Sequence, residues 1–241
     1  MLNNTDIQGT VPIGALVKTS LVDYPKKVST TLFLQGCNLR CPYCYNKDLV
    51  TGSFEDYDAV SFDDVIAHLQ KRKNVIGGFV ISGGEPCISP FLKPLIFQAH
   101  KLGYSVKLDT NGMFPEKLKE LLSSDEYRPD FIAMDLKTSL DRYHLLECDS
   151  TDKINESISI ISNFPAENRE FRTVLVPTLV DTDNIKDIAS LLPEDASWQF
   201  ANFKPGECLD SRYNDITPYT NIQTEELIMS AKSIITGANL R

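Results

Sequence analysis

From residue 30 onward, short runs rich in β-branched and aromatic residues alternate with longer helical patterns, and this alternation limits the fold more than any other property of the chain. Thr30–Gln35 predicts a buried strand. Phe62–Lys71 predicts a helix with Ser61 as its N-cap. Phe79–Ile81 reads as a strand ending in Gly83 and Gly84, Leu92–Leu102 as a helix with Gly103 at its C-cap, and Tyr104–Leu108 and Pro115–Leu122 as the next strand and helix. Phe131–Met134, ending at Asp135, is a further strand, and Ile154–Ser162 a helix. Thr173–Val176, Asn184–Leu192, Ser197–Ala201 and Thr224–Ile235 complete the series, with Gly237 behind the last helix. The strand Thr173–Val176 has Arg172 at its start. Six such β/α units, linked right-handedly and in parallel, form either a doubly wound sheet or an incomplete barrel. The 241 residues suit a single domain: an N-terminal extension over 1–29, a βα core over 30–210 and a C-terminal helical segment over 211–241.

In either architecture, functional residues gather at the C-terminal ends of the strands. The polar and glycine-rich signals follow that rule. Three cysteines follow the first strand, Gly83-Gly84-Glu85 the second and Asp109-Thr110-Asn111-Gly112 the third. Asp135 and Lys137 follow the fourth, and Lys204–Cys208 the sixth. The net charge of −9, from 33 acidic and 24 basic side chains, argues against nucleic acid as a partner. The run Lys71-Arg72-Lys73 reads as a solvated helix end. No apolar stretch approaches the ~20 residues needed to span a bilayer, and the polar stretch Met1–Thr10 does not resemble a signal peptide. The expected location is the cytoplasm, where three of the six cysteines clustered within eight residues imply metal or redox chemistry and not a disulfide framework.

Cys37, Cys41 and Cys44 have the spacing C-x3-C-x2-C. Three thiolates on a tight loop can hold three irons of a 4Fe–4S cube and leave the fourth iron open to a substrate. A structural zinc site is the competing reading, but zinc normally takes four protein ligands and no second pair or nearby histidine completes the set.

With Tyr43 before the last cysteine, this loop resembles the signature of the radical S-adenosylmethionine (SAM) superfamily. The resemblance implies an incomplete (βα)6 TIM-type barrel of the α/β class. It also implies one 4Fe–4S cluster on the three cysteines, with SAM chelated to the open iron. Reductive cleavage of SAM then yields a 5′-deoxyadenosyl radical that abstracts hydrogen from the substrate, with no catalytic side chain beyond the cluster and SAM. Gly83-Gly84-Glu85-Pro86, 39 residues beyond Cys44, is similar to the GGEP motif that binds the amino group of SAM. There the glycines admit close backbone approach and Glu85 is an acceptor. Asp135-Leu136-Lys137 is similar to the D-x-K motif of glycyl-radical-enzyme activating enzymes, whose side chains contact SAM. Asp109 and Asn111 lie in a similar K-L-D-T-N-G loop, Tyr43 takes the aromatic position near adenine, and Arg172 matches a basic position near SAM.

Lys18–Val28, Gln35–Asn38 and Phe203-Lys204-Pro205-Gly206 with Leu209-Asp210 resemble the activating proteins of anaerobic ribonucleoside-triphosphate reductase. This implies a glycyl radical enzyme as protein substrate and a flavodoxin- or ferredoxin-type electron donor. Where that subgroup has His after the third cysteine and Gly after D-Y-P, this chain has Tyr45 and Lys26. The alternative is a radical SAM enzyme acting on a small molecule or peptide. A third reading, a non-catalytic iron–sulfur carrier or zinc protein, leaves GGEP and D-x-K without a purpose. Cys87, Cys148 and Cys208 read as ordinary thiols, His68 and His100 as partly exposed helix residues, and His144 as a solvated loop residue.

Overall fold

The computed structural model of the chain describes residues 12–51, 59–148 and 150–241; Met1–Thr10, read above as a polar terminus, lies outside them. Its contacts divide it into two compact units. The first runs to Asn38 and resumes over Asp48–Thr110 and Glu116–Phe131, while the second comprises Leu39–Lys47, Asn111–Pro115 and Ile132–Arg241.

In chain order the first unit carries β1 (Pro12–Tyr24), β2 (Lys27–Leu34), α1 (Lys47–Thr51), β3 (Ala59–Ser61), α2 (Phe62–Arg72), β4 (Gly78–Gly83), α3 (Leu92–Lys101), β5 (Ser105–Thr110) and α4 (Pro115–Leu122), the first residues of α1 and α4 belonging to the second unit. The strand order is β3-β1-β2-β4-β5. β2, β4 and β5 run parallel, as βα crossovers dictate, and β1 is antiparallel to β2 and β3. Ser61 caps α2 through a full capping box with Asp64, as expected. Gly103, at φ +87°, follows the last helical turn of α3 one residue beyond the C-cap Leu102.

The N-terminal segment is more than an extension, because β1 is integral to the sheet. Its register shifts twice against β2, which breaks the two-residue alternation that marks a strand in sequence. Tyr24 at its end is buried in a cluster with Val80 and Phe131. The turn back into β2 passes through Pro25 and Lys26, and Lys26 sits at φ +62°. A side chain there carries a left-handed penalty of ~1–2 kcal/mol that glycine avoids. Glycine's extra freedom in the unfolded chain offsets part of that gain. Lys26→Gly is therefore expected to stabilise the protein by about 0.5–1 kcal/mol, read as a higher denaturant midpoint at unchanged slope.

The second unit carries β6 (Phe131–Asp135, whose first residue belongs to the first unit), α5 (Thr151–Ser162), β7 (Arg169–Leu175), α6 (Thr182–Leu191), β8 (Trp198–Asn202), α7 (Asn221–Lys232) and β9 (Ala238–Leu240). The strands are parallel in the order β6-β7-β8-β9. Two expectations are corrected here. Arg172 does not begin its strand; β7 starts at Arg169, whose buried guanidinium donates to the Phe164 carbonyl at 2.9 Å and to Asp195 at 2.7 Å. A polar Arg169-Glu170 opening hides a strand start, although both residues are buried and Arg169 is paired with the exposed Asp195. The C-terminal segment is also not wholly helical. After Gly237 the chain adds β9, whose three residues are too few to show a period. The α/β class with predominantly parallel strands is the one the alternation implies.

Candidate active site

In the first unit the Gly-Gly-Glu turn ends β4 and is joined to the chain that leads into the cysteine loop. The Gly84 N–H donates to the Leu34 carbonyl at 2.9 Å and the Glu85 N–H to the Gly36 carbonyl at 2.8 Å. Gly83 sits at φ +124°, and a Cβ there would overlap the Leu34 backbone. One on Gly84 would overlap the Gly36 carbonyl and stand 3.1 Å from the Cys37 Cβ. These glycines are thus required by contact between two strand ends, a reason the motif alone did not supply. Glu85 is fully buried, and its Oε1 accepts from the Cys87 N–H and from Thr110 Oγ1, both at 2.9 Å. Burial, and then the adjacent Glu85 carboxylate, push the Cys87 thiol well above its ordinary range. Asp109 accepts from the fully buried ammonium of Lys107 at 2.8 Å. Sequence reading passed over Lys107, although a lone lysine inside the strand run Ser105–Thr110 is the signal for such a pair.

In the second unit Cys41 and Cys44 share one turn, closed by the Cys44 N–H donating to the Cys41 carbonyl at 3.0 Å. Cys41 is buried, Cys37 and Cys44 are half-buried, and none of the six cysteines is in a disulfide. Among the described residues no three His, Cys, Asp or Glu side chains stand in a ready metal-holding arrangement. Binding of a metal group and the ordering of its loop are coupled events.

Asp135 ends β6 and takes two charged donors: Lys137 Nζ at 2.9 Å and, from the middle of β7, Arg172 Nε at 2.7 Å. Burial would raise the Asp135 carboxyl, but Arg172 and Lys137 outweigh it and hold the group well below the usual carboxylate range. Burial likewise opposes the charge on Lys137, yet the facing Asp135 carboxylate holds it well above its ordinary value. The Lys137 N–H donates to Tyr143 Oη at 3.1 Å, fixing the loop after β6. Asp135, Lys137 and Arg172 line a cavity of about 250 Å³ together with Gln199 and residues of β7 and β8.

Tyr43 lies close enough to this group to feel the charges of Lys137 and Asp135, and burial pushes its hydroxyl well above the ordinary range. That hydroxyl is buried with no hydrogen-bond partner among the described residues. So Tyr43, Cys41, Asp135, Lys137 and Arg172 form one group, whereas Gly83, Gly84, Glu85 and Asp109 belong to the first unit. Asn111 fills a local turn, its Oδ1 accepting from the Met113 N–H at 3.0 Å. Tyr143 was missed by sequence reading, since one aromatic in a short helical turn carries no signal. His68 meets Thr30 Oγ1 at 3.0 Å, His100 meets Asp130 at 3.1 Å, and His144 is exposed.

Comparison with known proteins accords with this geometry. Residues 31–192 match the radical SAM superfamily. The chain is 30% identical over 238 residues to a Methanocaldococcus jannaschii protein named by inference as a glycyl-radical enzyme activating enzyme, covering 95% of each. It is 27% identical over 187 residues to the pyruvate formate-lyase-activating enzyme of Clostridium pasteurianum, covering 75% of each. Among solved structures, Streptococcus suis SuiB bound to SAM aligns with a TM-score of 0.59 at 20% identity, over 85% of this chain and 47% of that one. TYW1 with a lysine-pyruvate adduct aligns with a TM-score of 0.59 at 16% identity, over 86% and 73%. At these identities the structures speak for the fold alone.

The chain belongs to the radical SAM superfamily, in the branch of the glycyl-radical-enzyme activating enzymes. Enzymes of this superfamily use a 4Fe–4S cluster and SAM. The residues present fit both groups: three thiols outside any disulfide on one short loop suit iron, and an orphaned buried hydroxyl beside a cation-rich carboxylate cluster suits a polar zwitterionic ligand.

Proposed function

We propose that the protein generates the glycyl radical of anaerobic ribonucleotide reductase by abstracting a hydrogen from a glycine Cα of that partner. Cys37, Cys41 and Cys44 would hold the cluster. Tyr43, Gly83, Gly84, Glu85, Asp109, Asn111, Asp135, Lys137 and Arg172 would contact SAM. The bound cofactors supply an electron and an abstracting adenosyl group. The chain's own residues bind and orient them.

The observation that carries this reading is the Asp135–Lys137–Arg172 cluster at a cavity, in a chain related over nearly its full length to an activating enzyme. Two cations around one carboxylate leave a positive balance suited to a ligand carboxylate, while Asp135 suits an ammonium or ribose hydroxyls. A flavodoxin- or ferredoxin-type protein would supply the electron, and the cytoplasm is the expected setting. No helix among the described residues is long and apolar enough to cross a membrane.

Deuterium placed at the reductase glycine tests the reading. Incubation with reduced protein and SAM is expected to move the label into 5′-deoxyadenosine and to leave a doublet electron paramagnetic resonance signal on the reductase. A Gly→Ala reductase is expected to give neither. If the reductase stays diamagnetic while a small molecule or peptide delivers the label, the substrate is of that other class.

A further inference from the structure

The segment after β8 lies against the turn that carries Cys41 and Cys44. The Leu209 N–H donates to the Cys44 carbonyl at 3.0 Å and the Asp210 N–H to the Pro42 carbonyl at 2.9 Å. One residue beyond Cys44, Tyr45 Oη accepts from the Lys204 N–H at 2.6 Å. The Tyr45 ring stacks on Phe203 with centroids 6.3 Å apart and planes 15° from parallel, within the range of offset aromatic pairs. Lys47 and Glu207 pair at 2.9 Å. The segment is itself anchored. Phe203 is buried, and the Cys208 N–H donates to Asn214 Oδ1 at 2.9 Å and to the Gly206 carbonyl at 3.0 Å.

We infer that residues 203–210 brace the cluster-binding turn, and that Tyr45 is the positioning residue through which this segment fixes Cys44. The inference rests on the reading of Cys41 and Cys44 as cluster ligands. A surface loop held only by its own turn moves freely, whereas hydrogen bonds to the carbonyls of residues 42 and 44 fix the backbone on both sides of Tyr43. The ion pair adds little, because Lys47 is 39% and Glu207 86% exposed. The holding contacts are therefore the backbone bonds and the ring stack. Tyr45 extends a ring far enough to reach both Phe203 and the Lys204 N–H.

The test uses the full chain with its cluster reconstituted anaerobically, and reads iron release to a chelator and the cluster midpoint potential. Tyr45→Ala removes an aromatic pair and a hydrogen-bond acceptor, so iron release is expected to quicken about tenfold. Tyr45→Phe keeps the stack and is expected to stay within about threefold of the wild type. Its midpoint potential should match the wild type while that of Tyr45→Ala moves, because cluster potential follows solvent exposure, which the retained ring keeps unchanged and its loss raises. Leu209→Pro, which removes the N–H donor to Cys44, is expected to act in the same direction, with folding checked by circular dichroism. Lys47→Ala is expected to change little.

Wild-type release rates and potentials in both Tyr45→Ala and folded Leu209→Pro would overturn the brace. Should Leu209→Pro fail to fold, the contrast between Tyr45→Ala and Tyr45→Phe decides alone. A wild-type protein that takes up no iron would instead sink the cluster reading, and the brace with it.

Discussion

Anaerobically reconstituted protein is expected to hold about four irons per chain, and replacing Cys37, Cys41 or Cys44 by Ala to bring that near zero. Three thiolates leave no spare protein ligand, so losing one leaves a second iron without protein support and exposes the cube to loss. Replacing Cys87, Cys148 or Cys208 is expected to leave the iron content intact. Each of those thiols is buried and has a local packing role. Cys87 Sγ stands 3.7 Å from Thr110 Oγ1 in the Gly-Gly-Glu turn, and Cys148 Sγ stands 3.4 Å from the Met113 sulfur. Cys208 belongs to the segment against the cysteine turn, so its variant is best made as Ser to preserve volume. Iron analysis with electron paramagnetic resonance separates the outcomes. A near doubling of iron that vanishes with Cys87, Cys148 or Cys208 would show a second cluster and overturn the single-cluster reading.

What the sequence revealed and what it hid divide along physical lines. The parallel βα succession was legible because most of its strands contain a short β-rich run and some helices carry clear punctuation, such as Ser61 before α2 and Gly103 behind α3. The cysteine spacing was legible because ligation demands residue types, not shapes. β1 and β9 were hidden. The first is bulged and the second has three residues, so neither repeats a period. The start of β7 was hidden because Arg169 and Glu170 are polar yet buried, a choice made by tertiary partners. The role of the glycines in Gly83-Gly84 was only half visible. Sequence suggests close approach without saying to what, and the structure answers with the Leu34 and Gly36 backbones. The tie between residues 203–210 and the cysteine turn joins positions some 160 apart in the chain, which no local pattern records.

Asp135→Ala is expected to cut SAM affinity by one to two orders of magnitude while leaving the iron content unchanged, because the bonding partners of Asp135 are Lys137 and Arg172 and not a cysteine. Removing the carboxylate leaves the Lys137 and Arg172 cations facing each other. Breaking a buried pair in this way costs about 3–5 kcal/mol where burial is complete. The side chains here are 27%, 19% and 19% exposed for Asp135, Lys137 and Arg172, so about half that cost is expected in stability. Asp135→Asn, which keeps the shape and one acceptor, is expected to fall between wild type and Ala in both readouts.

The same pair makes stability depend on pH in a defined direction. The Asp135 carboxyl is held below its unfolded value of about 3.9, so its stabilisation is fully present above that pH. It is lost as pH falls through the folded-state value, when the carboxylate is finally protonated. At pH 7 the wild type thus carries the whole contribution. The difference in denaturant midpoint between wild type and Asp135→Asn is expected to be constant from pH 5 to 8 and to shrink below pH 4. Isothermal titration with SAM, iron analysis and denaturant titration on the same samples separate the roles. A variant that loses iron yet binds SAM at wild-type affinity would place Asp135 at the cluster and remove it from the ligand cavity.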